Sequence, residues 1–407
     1  MSKILIITST INPIPDANGL IALNLKEELT KFDNQVVLVG VSDSNRFGLG
    51  DHLISQSKYA SKEKSAVKRV IKKIGRLISN GVNYKKFPSF DLEQNKKVYM
   101  KIDELNKENK FDIIISLYKP YSNIAALIDF KEKHQDIIAC AYFLDFIHDT
   151  RKPFFLGKKA WNKLIHGANS KVINKLDITY YGYNSMEYLK KNMSENEYKK
   201  ICFLEIPSYR KNVNEITEVK SINLEKSIRI IFAGTLNKKI RNPIKAFKIL
   251  KDFSIKTKTQ INVELYGNTM RVDYKKYNND FFSIKSLPSI NSDEVYKKYL
   301  EADILLNIGN NGVTNAIPSK IFELFSTYKP IINFVNNKED NSLKYFNKYP
   351  SVLNIDVNQK VELKRINDFI KCFSNEQSIK KEVDQEFYKN SIENVAKIIN
   401  ERIKGIN

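Results

Sequence analysis

Short runs that are apolar at every position alternate along this chain with longer stretches whose apolar residues recur every three or four positions. "KILIIT" (3–8), "QVVLVGV" (35–41), "FDIIIS" (111–116), "DIIACAYF" (136–143) and "DITYYG" (177–182) are of the first kind, and the stretch from about Leu20 to Lys31 is of the second. A strand that is apolar on both faces belongs in a parallel sheet covered by helices. Residues 212–227, "NVNEITEVKSINLEKS", are polar and weakly patterned and read as an interdomain linker. Beyond them the alternation restarts with "IRIIFAG" (228–234), a helix from about Pro243, "INVELYG" (261–267), a helix over about 292–302, "DILLNIG" (303–309), a helix opening at "IPSK", and "KPIINF" (329–334). This predicts an α/β protein of two doubly wound domains, residues 1–210 and 211–384.

In such sheets ligands sit beyond the carboxyl ends of the strands, so the strand-to-helix loops are where chemistry is to be sought. At 407 residues there is room for two full cores. Against 46 acidic residues stand 67 basic ones, a formal charge of +21, which favours anionic partners. There is no helix-turn-helix, zinc-finger or RNP-type signature, so nucleic acid is not the expected partner. Cys140, Cys202 and Cys372 are far apart and odd in number, which suits a reduced, cytoplasmic protein with buried thiols. "MSKILIITST" is too short an apolar run for a signal peptide, and no window is long enough for a membrane span, so any membrane contact is expected to be peripheral.

The stretch "IPSKIFELFSTYKP" (317–330) puts Pro318, Ser319 and Lys320 at the start of an apolar-patterned helix, with Glu323 one turn in. Early backbone N–H groups and a lysine suit an anion, and an acceptor-only carboxylate can take two hydroxyl protons; phosphate beside a diol describes a nucleotide. The alternative is an ordinary capped helix with solvated Lys and Glu. Three other loops point the same way. "FAGTLNKKIRNP" sets Gly234 and Thr235 at a strand end, followed by Lys238, Lys239 and Arg241; "LYGNT" ends a strand on Gly267; and "NIGNNG" precedes the helix itself. Glycine permits close backbone approach, and the cations supply charge for a diphosphate.

Taken together, "FAGTL…RNP…LYGN…LP…ADILLNIGN…IPSKIFELFSTYKPIINF" resembles, over about 228–335, the donor-binding domain of GT-B fold glycosyltransferases of the family 4 retaining type. The resemblance implies a GT-B fold of two Rossmann-like doubly wound domains with an interdomain cleft, an N-terminal acceptor-binding domain, a C-terminal nucleotide-sugar donor-binding domain, and a C-terminal helix over 385–407 that packs back on the N-terminal domain. It assigns Gly234 and Arg241 to the donor phosphates, the segment around Leu287 to the base, Ser319 and Lys320 to the diphosphate, and Glu323 to the ribose diol. The family carries a second glutamate eight positions earlier; Asn315 stands there, a neutral group that can hydrogen-bond a sugar hydroxyl but cannot oppose an oxocarbenium charge.

The first half matches less specifically. Asn18 and Gly19 in "NPIPDANGLIALNLKEEL" occupy the family's loop after the first strand, where the alternatives are backbone approach to the donor or acceptor and a turn before a helix. Asp145 and His148 in "LDFIHDT" follow a strand, and either could orient or deprotonate the acceptor hydroxyl; a capping Asp and a solvated His are the alternatives. Lys119 and Tyr118 also follow a strand, but one lysine in so lysine-rich a chain says little. Residues 62–78 form a basic amphipathic pattern suited to an anionic membrane surface, or to a surface helix with solvated lysines; residues 156–175, with Trp161, repeat it.

The implied function is a hexosyltransferase-type glycosyltransferase, of the bacterial surface-polysaccharide type. It moves a sugar from a nucleoside diphosphate sugar, UDP-sugar favoured, to a glycan or lipid-linked glycan with retention. No metal or resident cofactor is expected, since basic groups replace an Asp-x-Asp site. The alternative is a catalytically silent GT-B subunit assisting a partner transferase.

Overall fold

The runs that are apolar on both faces become the interior strands of two parallel sheets. The computed structural model describes residues 1–12, 15–42, 50–57, 87–149, 152, 155–210, 227–269, 274–312, 317–372 and 376–405. They divide into two units, Met1–Pro207 with Ile392–Asn407, and Ser208–Ser391.

The first unit holds β1 (Lys3–Asn12), β2 (Gln35–Ser42), β3 (His52–Ser55), β4 (Ile113–Tyr118), β5 (Ile138–Phe143), β6 (Ile178–Gly182) and β7 (Ile201–Leu204), in the order β3-β2-β1-β4-β5-β6-β7. Every pairing is parallel. Every residue of β4, β5 and β6 is buried. The two-residue pleat sends alternate side chains to opposite faces: Leu5, Ile7, Ile114, Ala141 and Phe143 join one core, while Ile4, Ile6, Ile113, Ile115 and Tyr142 join the other. The second core is covered by the helix Ala17–Thr30 and by the helix Ile392–Lys404, whose Val395, Ala396, Ile399 and Ile403 are buried. Asn34 Nδ2 donates to Asn400 Oδ1 at 3.0 Å and ties this C-terminal helix to the turn before β2.

The second unit holds β8 (Ile228–Ala233), β9 (Ile261–Tyr266), β10 (Phe282–Leu287), β11 (Ile304–Ile308), β12 (Ile331–Val335) and β13 (Val352–Asp356), in the order β10-β9-β8-β11-β12-β13. Its pairings are also all parallel. On one face three neighbouring strands carry asparagines in register, and their amides form a chain: Asn307 donates to Asn333 at 2.7 Å, and Asn333 to Asn354 at 2.7 Å. Both sheets reverse their winding at the first strand, beside β1 and β4 in one and β8 and β11 in the other. That is where a doubly wound sheet opens a crevice for ligand.

Three sequence readings change. The helix Lys158–Lys175 spends its apolar stripe on the protein: Trp161, Ile165, Ala168, Val172 and Ile173 are core residues, and Trp161 lies 4.6 Å from the Phe87 ring, so Trp161 is not placed at an interface. Of the cysteines, Cys140 is buried but Cys372 is exposed. The helix expected to open at Pro318 begins at Lys320 and runs only to Phe325. The basic stretch 62–78, Asn315, and the linker 212–227 except Ser227 lie outside the described residues. Among those residues no helix is long and apolar enough to cross a membrane.

Candidate functional site

Each unit carries a pocket at the carboxyl ends of its strands, and the two pockets differ in charge. The one in the second unit, about 230 Å³, is lined by Gly234, Thr235, Gly267, Asn268, Ser289 and Lys320 among others. Four residues that the sequence singled out thus come together from three separate loops. Gly234 and Gly267 have φ of +155° and +109°, in the region that favours glycine. A Cβ on Gly267 would stand 2.7 Å from the Gly234 carbonyl oxygen, so the two loops touch through their backbones. The Gly234 N–H donates to the Tyr266 carbonyl at 2.9 Å and the Leu236 N–H to the Asn268 carbonyl at 3.0 Å, knitting them together. Lys320, itself exposed, is the one charged side chain among the lining residues.

Arg241 stands beside this pocket, with one guanidinium nitrogen 3.8 Å from where a Gly234 Cβ would be. Its Nη2 donates to Asn310 Oδ1 at 3.2 Å, and the Asn310 N–H donates in turn to Asp340 at 3.0 Å. Its Nε is buried and has no hydrogen-bond partner among the described residues. Burial lowers the pKa and the Asp340 charge opposes this; an arginine nonetheless keeps its charge, so a half-satisfied cation sits next to the glycine loop.

Glu323 is partly buried on the short helix, and burial raises its carboxyl pKa; the charges of Arg210 and Lys320 pull it back down, and Asp293 pushes it up. Arg210 is held by Asp293 at 3.0 Å and Ser292 at 2.9 Å, over the ring of Tyr296. Glu323 is therefore not a solvated surface acid. The helix start offers fewer donors than its sequence suggests: the Ile321 N–H donates to the Pro318 carbonyl at 3.2 Å and the Phe322 N–H to that of Ser319 at 3.1 Å, a tight i to i+3 turn. Ser319 itself makes no side-chain cap. Leu287 ends β10 opposite Tyr266, which delivers the following Ser289 and Ile290 to the pocket wall.

The pocket of the first unit, about 610 Å³, lies beyond β1, β4 and β5 and is lined by Asp16, Asn18, Gln94, Lys119, Ser122 and Asp145 among others. Asp145 and Lys119 pair at 3.3 Å with both side chains about half exposed. Asn18 Nδ2 donates to the Tyr118 carbonyl at 3.0 Å. Gly19 is not open to a ligand: a Cβ there would stand 2.4 Å from the Thr10 carbonyl oxygen, and its N–H is taken by the Asp16 carboxylate at 2.8 Å, so its smallness serves the approach of β1 to the first helix. His148 is not among the lining side chains. It stacks between Tyr188, at 3.8 Å, and Phe146, at 5.1 Å, and burial pushes its pKa down to about 4, so it is neutral at neutral pH and not solvated.

Sequence reasoning set Lys119 aside and passed over Gln94, Ser122, Asn268 and Ser289. Lys119 stood directly after an interior strand, which was the available signal, but it was masked by the abundance of lysine. Asn268 was the neighbour of a glycine already singled out. Gln94 and Ser122 lie in helices, where nothing in the local pattern separates a pocket-lining polar residue from a surface one.

No family model matches the sequence, and no curated protein matches it significantly. Solved structures do match. The α,α-trehalose-phosphate synthase (UDP-forming) from Burkholderia vietnamiensis is similar with a TM-score of 0.60 at 9% identity, covering 99% of this chain and 100% of that one. A glycosyltransferase from Rickettsia africae gives 0.57 at 13% identity, covering 100% and 98%. The UDP-GlcNAc 2-epimerase from Methanocaldococcus jannaschii gives 0.54 at 11% identity, covering 98% and 99%. At these identities the likeness establishes the fold: two parallel-sheet α/β domains of the Rossmann-like GT-B type.

Proposed function

We propose that this chain is a glycosyltransferase that takes a sugar from a nucleoside diphosphate sugar, UDP-sugar favoured, to a hydroxyl of a glycan or lipid-linked glycan, with retention. The observation that carries the reading is the second unit's pocket, where two φ-positive glycines expose backbone at the ends of β8 and β9, Lys320 lines the wall, and the half-satisfied guanidinium of Arg241 stands beside it. A diphosphate fits that chemistry. The fold is shared with a synthase described as UDP-forming. Glu323 takes the ribose diol, Leu287 and its neighbours flank the base, Thr235 and Ser319 bind phosphate oxygens, and Asn315 contacts the sugar.

The chemical step needs charge neutralised as the diphosphate departs, and cations already in place beside the phosphates do this. Lys320 and Arg241 supply it in place of a divalent ion, so we propose a metal-independent reaction. In the first unit Asp145, held by Lys119, takes up the acceptor hydroxyl proton. A role in surface polysaccharide synthesis at the inner face of a membrane belongs to the same reading.

The test is release of nucleoside diphosphate from a panel of UDP-, GDP-, ADP- and TDP-sugars by the whole protein, with and without EDTA and membrane extract. UDP release that needs acceptor and survives EDTA is expected. Arg241→Ala should lower kcat by about 100-fold, because the group acts on charge that grows in the transition state; an unchanged kcat with a raised KM would make it a binding group only. The fold is also shared with an epimerase, and an altered UDP-sugar without UDP release would favour that chemistry. Tight UDP binding with no turnover under any condition would favour the silent subunit.

A further inference from the structure

Arg241 stands beside the pocket of the second unit on a loop that is held by its neighbour, the loop after β11. The turn over 237–241 closes on itself: the Asn237 N–H donates to the Arg241 carbonyl at 3.0 Å and the Arg241 N–H to the Asn237 carbonyl at 2.7 Å. Asn311 clamps this turn from outside. Its N–H donates to the Ile240 carbonyl at 2.6 Å and its Nδ2 to the Lys238 carbonyl at 2.9 Å, while its Oδ1 accepts from the Asn242 N–H at 3.3 Å. These contacts fix the backbone. The guanidinium is fixed separately, by Asn310, whose Oδ1 accepts from Arg241 Nη2 at 3.2 Å.

Asn310 is itself 5% exposed and pinned from two sides. Its N–H donates to Asp340 Oδ2 at 3.0 Å. The preceding Gly309 donates its N–H to the Phe334 carbonyl at 2.8 Å, and its own carbonyl accepts from Asn336 Nδ2 at 2.7 Å. Asp340 is also 5% exposed, and its Oδ1 accepts from the Ser342 N–H at 2.9 Å and from Ser342 Oγ at 2.8 Å. None of these three donors is a cation, so the carboxylate is buried on neutral hydrogen bonds, an arrangement that desolvation makes costly. Its charge is felt at Arg241, where burial disfavours the charged guanidinium and Asp340 opposes this. It acts there across an intervening neutral amide. A carboxylate in direct contact would pair with the guanidinium and quench it, whereas an amide oxygen orients the group and leaves its charge for an anion.

We infer that Asn310 and Asp340 are positioning residues for Arg241: Asp340 fixes the backbone of Asn310, Asn310 aims the guanidinium, and the neutral amide between the two charges keeps the cation available to a phosphate oxygen. The inference rests on the reading of this pocket as a diphosphate site, not on the transfer step. Loops from three adjacent strands, β8, β11 and β12, thus set the direction of one cation. Such a group need not reorganise when an anion arrives, which is where a preorganised cation gains over a mobile one.

The experiment is calorimetry on the whole protein with inorganic diphosphate and with UDP, on single variants and on the same variants combined with Arg241→Ala. Asn310→Ala and Asp340→Asn should each weaken binding at least about fivefold. Residues that act only through Arg241 have nothing left to act on once it is gone, so in the Arg241→Ala background the same changes should move affinity by less than about twofold. A merely structural role would carry its loss into that background. Asn310→Asp keeps an acceptor for Arg241 and adds a charge against it, so it should weaken binding at least about tenfold. Affinities unmoved by both Asn310→Ala and Asp340→Asn, losses that persist in the Arg241→Ala background, Asn310→Asp binding as tightly as the parent, or a parent that binds neither probe would overturn the inference. The expected pattern of binding without any nucleotide-sugar turnover would leave it standing and reject only the transferase reading, while sugar transfer with losses that persist after Arg241→Ala would do the reverse.

Discussion

Glu323 shows what the burial of a single carboxylate costs. Its pKa is raised mainly because burial disfavours the charged form. Between the ordinary carboxylate pKa and the raised one, the folded protein binds more protons than the unfolded chain, so stability falls as pH rises through that window and the loss persists at neutral pH. Glu323→Gln should therefore melt higher than the parent at pH 7, with the difference vanishing below the ordinary carboxylate range, and should lose affinity for UDP more than for inorganic diphosphate. Equal melting temperatures at pH 7 would remove the desolvation argument. His148 carries the opposite sign. Its pKa is pushed down from 6.5 to about 4, so the unfolded chain takes up a proton first as pH falls, and up to about 3 kcal/mol is lost between those values. His148→Phe keeps a ring between Phe146 and Tyr188 and should flatten the acid limb of a melting-temperature profile from pH 7 to 4. At this scale the sequence was readable where a residue type has few uses, as with Gly234 and Gly267. It was misleading where one type has several: the smallness of Gly19 accommodates Thr10, not a ligand, and Lys119 was hidden among many lysines.

Among the elements, each interior strand of both sheets was visible in the sequence, and the four that were not are the edges: β3, β7, β10 and β13. The cause is burial. An interior strand of a doubly wound sheet is covered on both faces and reads as an unbroken apolar run, whereas an edge strand has one neighbour and a half-exposed surface. His52–Ser55 and Ile201–Leu204 are four residues long and partly exposed, and Val352–Asp356 alternates buried with half-buried positions. The asparagine chain across β11, β12 and β13 was equally invisible, because it depends on register and not on local pattern. Asn333 is its centre, 2% exposed, donating to one neighbour and accepting from the other. Asn333→Leu would leave the Asn307 donor and the Asn354 acceptor unpaired. It should cost about 1–3 kcal/mol and lower the melting transition of the second unit by about 2–12 °C, readable by calorimetry; an unchanged transition would show that water replaces the chain at no cost.

At the scale of the whole molecule, the first unit is assembled from both ends of the sequence. Ending the chain at Ser391 removes the helix that buries Val395, Ile399 and Ile403 and the Asn400 partner of Asn34. The loss should be on the order of 5 kcal/mol or more; the first unit should melt early and bind a hydrophobic dye while the transition of the second stays in place. A first unit that melts as before would show the helix to be dispensable. The returning helix also sets an order in time. A ribosome releases the N-terminal half first, yet one face of that half stays only partly covered until all of Ser208–Ser391 has followed it out, about 10–40 s later at ordinary elongation rates. For that interval the part of the core that Val395, Ala396, Ile399 and Ile403 complete faces water or a chaperone. The protein's yield in a cell should then depend on how quickly its second half is translated, so that slow codons placed within 208–391 lower it more than the same codons placed after residue 392.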